Sequence, residues 1–167
     1  SKKNKKILKY FFFFQNLKII ELPKYGLREL KKISNKISQL KGCILIIDYG
    51  YLKSNNQDTL QSVIKHKKNN LLKNLGQADI TAHVNFNLLF EFFSKNKLNV
   101  KDVITQKQFL ENLGIQKRAE VVAKKMKFTE QANLYLRLKR LLSPNSMGNL
   151  FKVILAYKFN NNNFAGF

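Results

Sequence analysis

The segment GCILIIDYGY at residues 42–51 constrains this chain more than any other. Residues 43–47 form a continuous apolar run bounded by polar sequence, which predicts a strand covered on both faces. Before it, Leu27, Leu30, Ile33, Ile37 and Leu40 recur at helical spacing behind a turn at 23–26. That pattern predicts an amphipathic helix ending near Lys41, with Gly42 as its left-handed stop. A helix feeding a buried strand is half of a parallel α/β unit, so the expected fold class is α/β. Cys43, inside the strand, is expected to pack as a small hydrophobe.

The remaining pattern is consistent with such a fold. Residues 48–56 are polar, with Gly50 and an Asn-Asn pair, and predict a loop beyond the strand's carboxyl end. A strand is expected within 59–65, an irregular connection over 67–76 and a short extended piece at 79–84. Asn85 is placed to cap a helix over 86–94. A strand at 98–104 precedes a helix capped by Thr105 that runs to Leu113 and is closed by Gly114. Two more helices are expected at about 116–126 and 130–142, the second capped by Thr129 and stopped before Pro144. A final strand covers 150–157, and the Asn-rich stretch 160–163 reads as a frayed tail. The aromatic run at 10–14 is expected to be a strand, since it is too short for a signal peptide and no small-residue cleavage site follows. No repeat or linker divides the chain, so one partial domain is expected over residues 1–167.

The formal charge of +21 is extreme, and such an excess attracts polyanions. However, the cations are nearly all Lys, with Arg only at 28, 118, 137 and 140, and Arg is the residue suited to bidentate phosphate and base contacts. Lys, Asn, Ile and Phe are abundant together, as in proteins of AT-rich genomes. The charge is therefore read as a solvated surface, and a dedicated nucleic-acid face is not expected. The single Cys excludes a disulfide framework and a Cys-based metal site, and a reducing, intracellular compartment fits it best. No apolar run reaches the roughly 20 residues needed to span a bilayer.

In open α/β sheets ligands bind outside the carboxyl ends of the strands. Asp48, Tyr49 and Tyr51 are expected at that edge, where a carboxylate can orient a substrate or accept a proton and a phenol can hydrogen-bond or stack. Asp48 serves equally well as a turn cap, and spacing does not choose between the two. Asp79, Thr81 and His83 alternate along an extended piece, which would set them on one face. His66 and His83 are the only histidines, and metal-ligand spacing is absent. G-x-G-x-x-G, G-x-x-x-x-G-K-[ST] and G-x-S-x-G are absent too, and the seven glycines are isolated. No loop here would cradle a nucleotide or a cofactor tail.

LIIDYGY (45–51), DTL (58–60), the lone His66, ADITAHVNF (78–86), TQKQFLENLGI (105–115), RA (118–119) and MGNLFKV (147–153) resemble, in order and spacing, the MidA family of class I S-adenosylmethionine-dependent methyltransferases. The likeness runs from about Glu21 to Phe167. It departs from the family at Asn85, where an Asp is usual, and at Lys41-Gly42, where paired glycines are usual. It implies the C-terminal part of a Rossmann-like class I methyltransferase sheet with an inserted helical region. The first strands and the Gly-rich loop for S-adenosylmethionine would belong to a half not represented here. The cofactor is thus expected in the full-length family and not on this chain alone.

The resemblance also implies methylation of a protein arginine on a respiratory complex I subunit, with that subunit as protein partner and a separate N-terminal half as another. Location would be the bacterial cytoplasm, or the mitochondrial matrix in a eukaryote. Asp48, Tyr49 and Tyr51 would be the catalytic candidates, and Asp79, Thr81, His83, His66 and Gln106 the substrate-binding ones. No metal is expected. Competing readings are a non-catalytic interaction module, the remnant of a decayed gene, and a basic nucleic-acid binder.

Overall fold

The computed structural model describes residues 18–53, 56, 58–160 and 162–167; the strand expected at 10–14 lies outside them. The first helix, α1 (Lys24–Leu40), begins directly after Pro23, so the expected turn at 23–26 is already helical. Pro fits there because its φ of −79° is close to helical and its missing N–H would have had no helical partner. The inward stripe is Leu27, Leu30, Ser34 and Ile37, whereas Ile33 and Leu40 face outward. Buried Ser34 satisfies its hydroxyl by donating to the Leu30 carbonyl at 2.8 Å. Lys41, not Gly42, takes the left-handed stop (φ 51°), and the Gly42 N–H closes the end on the Ile37 carbonyl at 3.0 Å.

Strand β1 (Cys43–Tyr51) is longer than its apolar run suggests, because Asp48–Tyr51 continue the extended backbone instead of starting a loop. Its long partner is β8 (Phe151–Tyr157), antiparallel, in register from Cys43↔Tyr157 to Tyr49↔Phe151. Among the described residues parallel pairing is limited to Gly50↔Val84 and Tyr51↔Asn85, with β5 (Val84–Asn85). The expected parallel unit is thus a mixed sheet of order β5-β1-β8-β6. The stretch expected as one strand at 98–104 is two bridges on β8: β6 (Asn99–Val100) and β7 (Ile104–Thr105).

One sheet face carries Ile44, Ile46, Ile154 and Ala156 and is covered by α1 and by α2 (Phe86–Lys95). Phe86, Leu88 and Phe93 are sealed there, each worth about 1.5–3 kcal/mol of burial. Asn85 caps α2 as expected, its Oδ1 accepting from the Leu88 N–H at 3.0 Å. The other face is closed over β8, where Phe109 and Phe167 meet edge to face at 5.4 Å. Over β1 it is open: Cys43, Leu45 and Ile47 are exposed, so neither the two-sided cover nor the buried thiol holds. The covering layer that the run implied is not among the described residues.

A second, antiparallel sheet has the order β3-β2-β4, from β2 (Gln61–Ile64), β3 (Lys67–Asn69) and β4 (Asp79–Thr81). Lys65 and His66 make its hairpin turn with φ of 48° and 61°, the backbone of a primed turn. The connection expected at 67–76 therefore opens with a strand. The extended piece at 79–84 divides between the two sheets, since β4 pairs with β2 and β5 with β1.

The helical region lies between β7 and β8. Thr105 and Gln108 form a capping box on α3 (Gln106–Asn112). α4 (Ile115–Ala123) follows Gly114, at φ 76°. α5 (Phe128–Leu142) starts one residue before Thr129, and its first turn is closed by Glu130, which accepts from the Lys127 N–H at 2.8 Å. α6 (Met147–Leu150) leads into β8, with Gly148 pressed against the carbonyls of Leu142 and Ser143. Beyond Asn161 the tail packs back instead of fraying: Asn162 accepts from the Tyr157 hydroxyl at 2.6 Å and Phe164 meets Tyr157 edge to face at 4.7 Å.

Candidate functional site

A cleft of about 480 Å³ lies where β1 ends against the second sheet, lined by Tyr51, Asp58, Thr59, Ser62, Lys68 and His83 among others. It sits outside the carboxyl end of β1, where ligands of open α/β sheets bind. One carboxylate ties its walls together. Glu21 Oε1 accepts from the Thr59 N–H at 2.9 Å and the Thr59 hydroxyl at 2.7 Å, and Oε2 accepts from the Tyr51 hydroxyl at 3.2 Å. The Thr59 Oγ1 also accepts from the His83 N–H at 2.9 Å. Tyr51 and Thr59 thus meet on Glu21, and His83 joins them through Thr59.

Gly50 explains how they come so close. A Cβ there would lie 2.1 Å from the Val84 carbonyl oxygen and 2.9 Å from the Phe86 ring, so only glycine lets β5 and α2 close on β1. Tyr51 then turns toward Glu21. Burial, followed by the Glu21 carboxylate and the hydrogen bond to it, pushes its phenol up to about 12, with Asn85 opposing. At neutral pH this phenol is a committed hydrogen-bond donor. Asn85 serves both Tyr51 and the α2 cap, and Asn caps a helix as well as Asp does.

The expected residues are distributed unevenly. Tyr51 and His83 line the cleft, and Tyr49 reaches it through an edge-to-face contact with the His83 ring at 5.5 Å. Asp48, alternating with Tyr49 and Tyr51, lies on the other sheet face, and its Oδ1 accepts from the Tyr49 N–H at 2.8 Å. Lys152 stands opposite Asp48 in register but sends its Nζ to the Gly50 carbonyl at 3.3 Å and to that of Asn149. Burial lowers the pKa of that ammonium. Thr81 is half-buried in β4, while exposed Asp79 sits at the strand's far end, outside the cleft lining. His66 is at the hairpin tip, exposed. Gln106 is buried in the helical region, where it donates to the Leu141 carbonyl at 3.0 Å.

Glu21 and Thr59 are the additions that the structure makes. Thr59 stands in the DTL block, and Glu21 is a carboxylate flanked by Ile20 and Leu22 in a chain with only ten acidic residues. A charge inside an apolar run needs partners, and that was the available signal. Among the described residues no three His, Cys, Asp or Glu side chains gather as a metal site would require. No described helix is long and apolar enough to cross a membrane.

The family described as "putative S-adenosyl-L-methionine-dependent methyltransferase" matches residues 2–104. The chain belongs to this methyltransferase family. It is 32% identical over 124 residues to the protein arginine methyltransferase NDUFAF7, mitochondrial, of Xenopus tropicalis, covering 74% of this chain and 28% of that protein. The human counterpart is 30% identical over 123 residues, covering 73% and 27%. The chain thus spans less than a third of the curated relatives it matches. An uncharacterised Burkholderia thailandensis protein shares the fold with a TM-score of 0.76 at 21% identity, over 92% of this chain and 43% of that one. A second structure from that organism and superfamily, bound to S-adenosyl-homocysteine, gives 0.72 at 23% identity over 85% and 38%. The α/β fold class expected from the sequence is the one this chain shares with these two structures.

No glycine-rich loop of the kind that cradles a cofactor tail occurs among the described residues. The glycines crowded by neighbours are closed by this chain's own atoms: Gly50 by Val84 and Phe86, Gly148 by Leu142, Gly166 by Phe109. Isolated glycines at Gly42, Gly76 and Gly114 do not add up to a phosphate- or cofactor-binding loop.

Proposed function

We propose that this chain forms the acceptor side of an S-adenosylmethionine-dependent methyltransferase that modifies arginine side chains of a protein substrate. The observation that carries the reading is the cluster of Tyr51, Thr59 and His83 around Glu21 at the carboxyl end of β1. Methyl transfer is a displacement at a sulfonium carbon, so a protein contributes position and a shielded pocket more than covalent chemistry. Here the Glu21 carboxylate, fixed by three donors, and the protonated Tyr51 would orient a cationic acceptor. The donor would be held by sequence that the relatives have and these residues do not supply. The curated relatives' names support arginine as the acceptor and a mitochondrial setting, and complex I assembly is the process to test first.

A chimaera in which this chain replaces the matching segment of the Xenopus tropicalis relative tests the site. Methyl transfer to arginine peptides is expected to fall at least about tenfold in Y51F and E21Q, the scale of losing an oriented polar contact. Asp48→Asn, on the opposite face, should change turnover less. Unaltered turnover in both Y51F and E21Q would overturn the assignment. Calorimetry of this chain alone should show no S-adenosylmethionine binding at micromolar concentration.

A further inference from the structure

The α4–α5 hairpin combines two independent features. Three of the chain's four arginines, Arg118, Arg137 and Arg140, lie on it. Between residues 115 and 142 eight Lys or Arg side chains face two carboxylates. Both carboxylates are engaged locally, Glu120 with Lys117 at 3.4 Å and Glu130 with the Lys127 N–H.

The second feature is apolar. On α5, Leu134, Leu138 and Leu142 face inward, yet Phe128 (84% exposed), Tyr135 and Leu136 are left in solvent. With 3.6 residues per turn these three share one arc with Ala132 and Lys139, and Arg137 and Arg140 continue it on the polar side. Beside the arc, Arg118 and Arg137 join Ile115, Ala119 and Leu134 in lining a small groove between α4 and α5. Guanidiniums against apolar walls match a phosphodiester headgroup above acyl chains. Cations alone would suit nucleic acid, but an aliphatic and aromatic stripe beside them has no use on a phosphate backbone.

We infer that this hairpin docks on an anionic lipid surface, α5 lying in the interface plane with Phe128 and Leu136 among the headgroups and the Arg and Lys side chains on the lipid phosphates. The test is co-sedimentation of the full chain with vesicles of phosphatidylcholine, alone or with about one-third phosphatidylglycerol. Binding is expected on the anionic vesicles and at least about tenfold weaker on the neutral ones. F128S/L136S, which leaves the charge unchanged, should lower the anionic binding by about tenfold or more. These exposed positions carry no core packing, and an unchanged thermal melt verifies that the variant is folded. Failure to bind anionic vesicles would overturn the inference. So would full binding by the double variant, including binding that duplex DNA displaces, since net charge alone would then explain it.

Discussion

Strands β1 and β8 run side by side over seven register pairs and both read as continuous apolar runs, yet they live in different surroundings. In β8, Val153, Ile154 and Ala156 are fully buried. In β1, Leu45 and Ile47 are 46% and 44% exposed. β8 has hydrogen-bonded neighbours along both edges and helices against both faces, whereas among the described residues the outer edge of β1 pairs only at Gly50 and Tyr51. An apolar run states what a strand requires of its surroundings. Whether the requirement is met depends on elements far away in the sequence.

The largest expected effect follows from that contrast. Ile154→Ala removes side-chain bulk from a sealed core and should cost about 2–5 kcal/mol in urea unfolding, the range for such core truncations. Leu45→Ala, in the neighbouring strand and of similar chemistry, should stay within about 1 kcal/mol because its side chain is already half in water. Equal costs at the two positions would show that the open face of β1 is covered in solution. Leu45→Ala would then report on whatever covers it.

How much of this was legible beforehand depends on how local each signal is. The Asn85 and Thr105 caps were readable because a cap and its target N–H are three residues apart. The Lys65-His66 turn was not, because neither residue is one that ordinarily favours positive φ in a primed turn. The two-faced burial expected of β1 fails, since five apolar residues cannot reveal that one covering layer is not among the described residues. The site was half readable. Tyr51 and His83 follow from their place beside a strand's end, but Glu21 meets Tyr51 and Thr59 across 30 and 38 residues, and no periodicity records that. The alternation of side chains along a strand separates Asp48 from the two tyrosines once β1 is seen to continue through it.

The closed end of β1 is the place to break the contrast within one strand. Gly50→Ala would drive a Cβ into the Val84 carbonyl and the Phe86 ring. The β1–β5 pairing must then open, at about 1–3 kcal/mol by analogy with overpacked cores. The alanine should also loosen the Glu21 cluster, seen as faster amide exchange at Thr59 and His83. Gly42→Ala, at the open end of the same strand where a Cβ meets nothing, should leave those amides unchanged.

The smallest effect is the most specific. Tyr51→Phe deletes the hydroxyl that donates to Glu21, at about 1 kcal/mol near neutral pH. The pH dependence identifies its origin. The Tyr51 phenol ionises near 12 in the folded chain and near the ordinary 10.0 when unfolded. Above pH 10 the unfolded chain therefore releases this proton first and binds fewer protons than the folded one, so stability falls as pH rises. The contribution is complete below pH 10 and is lost between 10 and 12. The stability advantage of the parent over Y51F should accordingly be constant up to pH 10 and shrink through that window, measured by urea unfolding at each pH. A gap that stays constant to pH 12 would mean that Tyr51 is not held against Glu21, and that the end of β1 is as open as its middle.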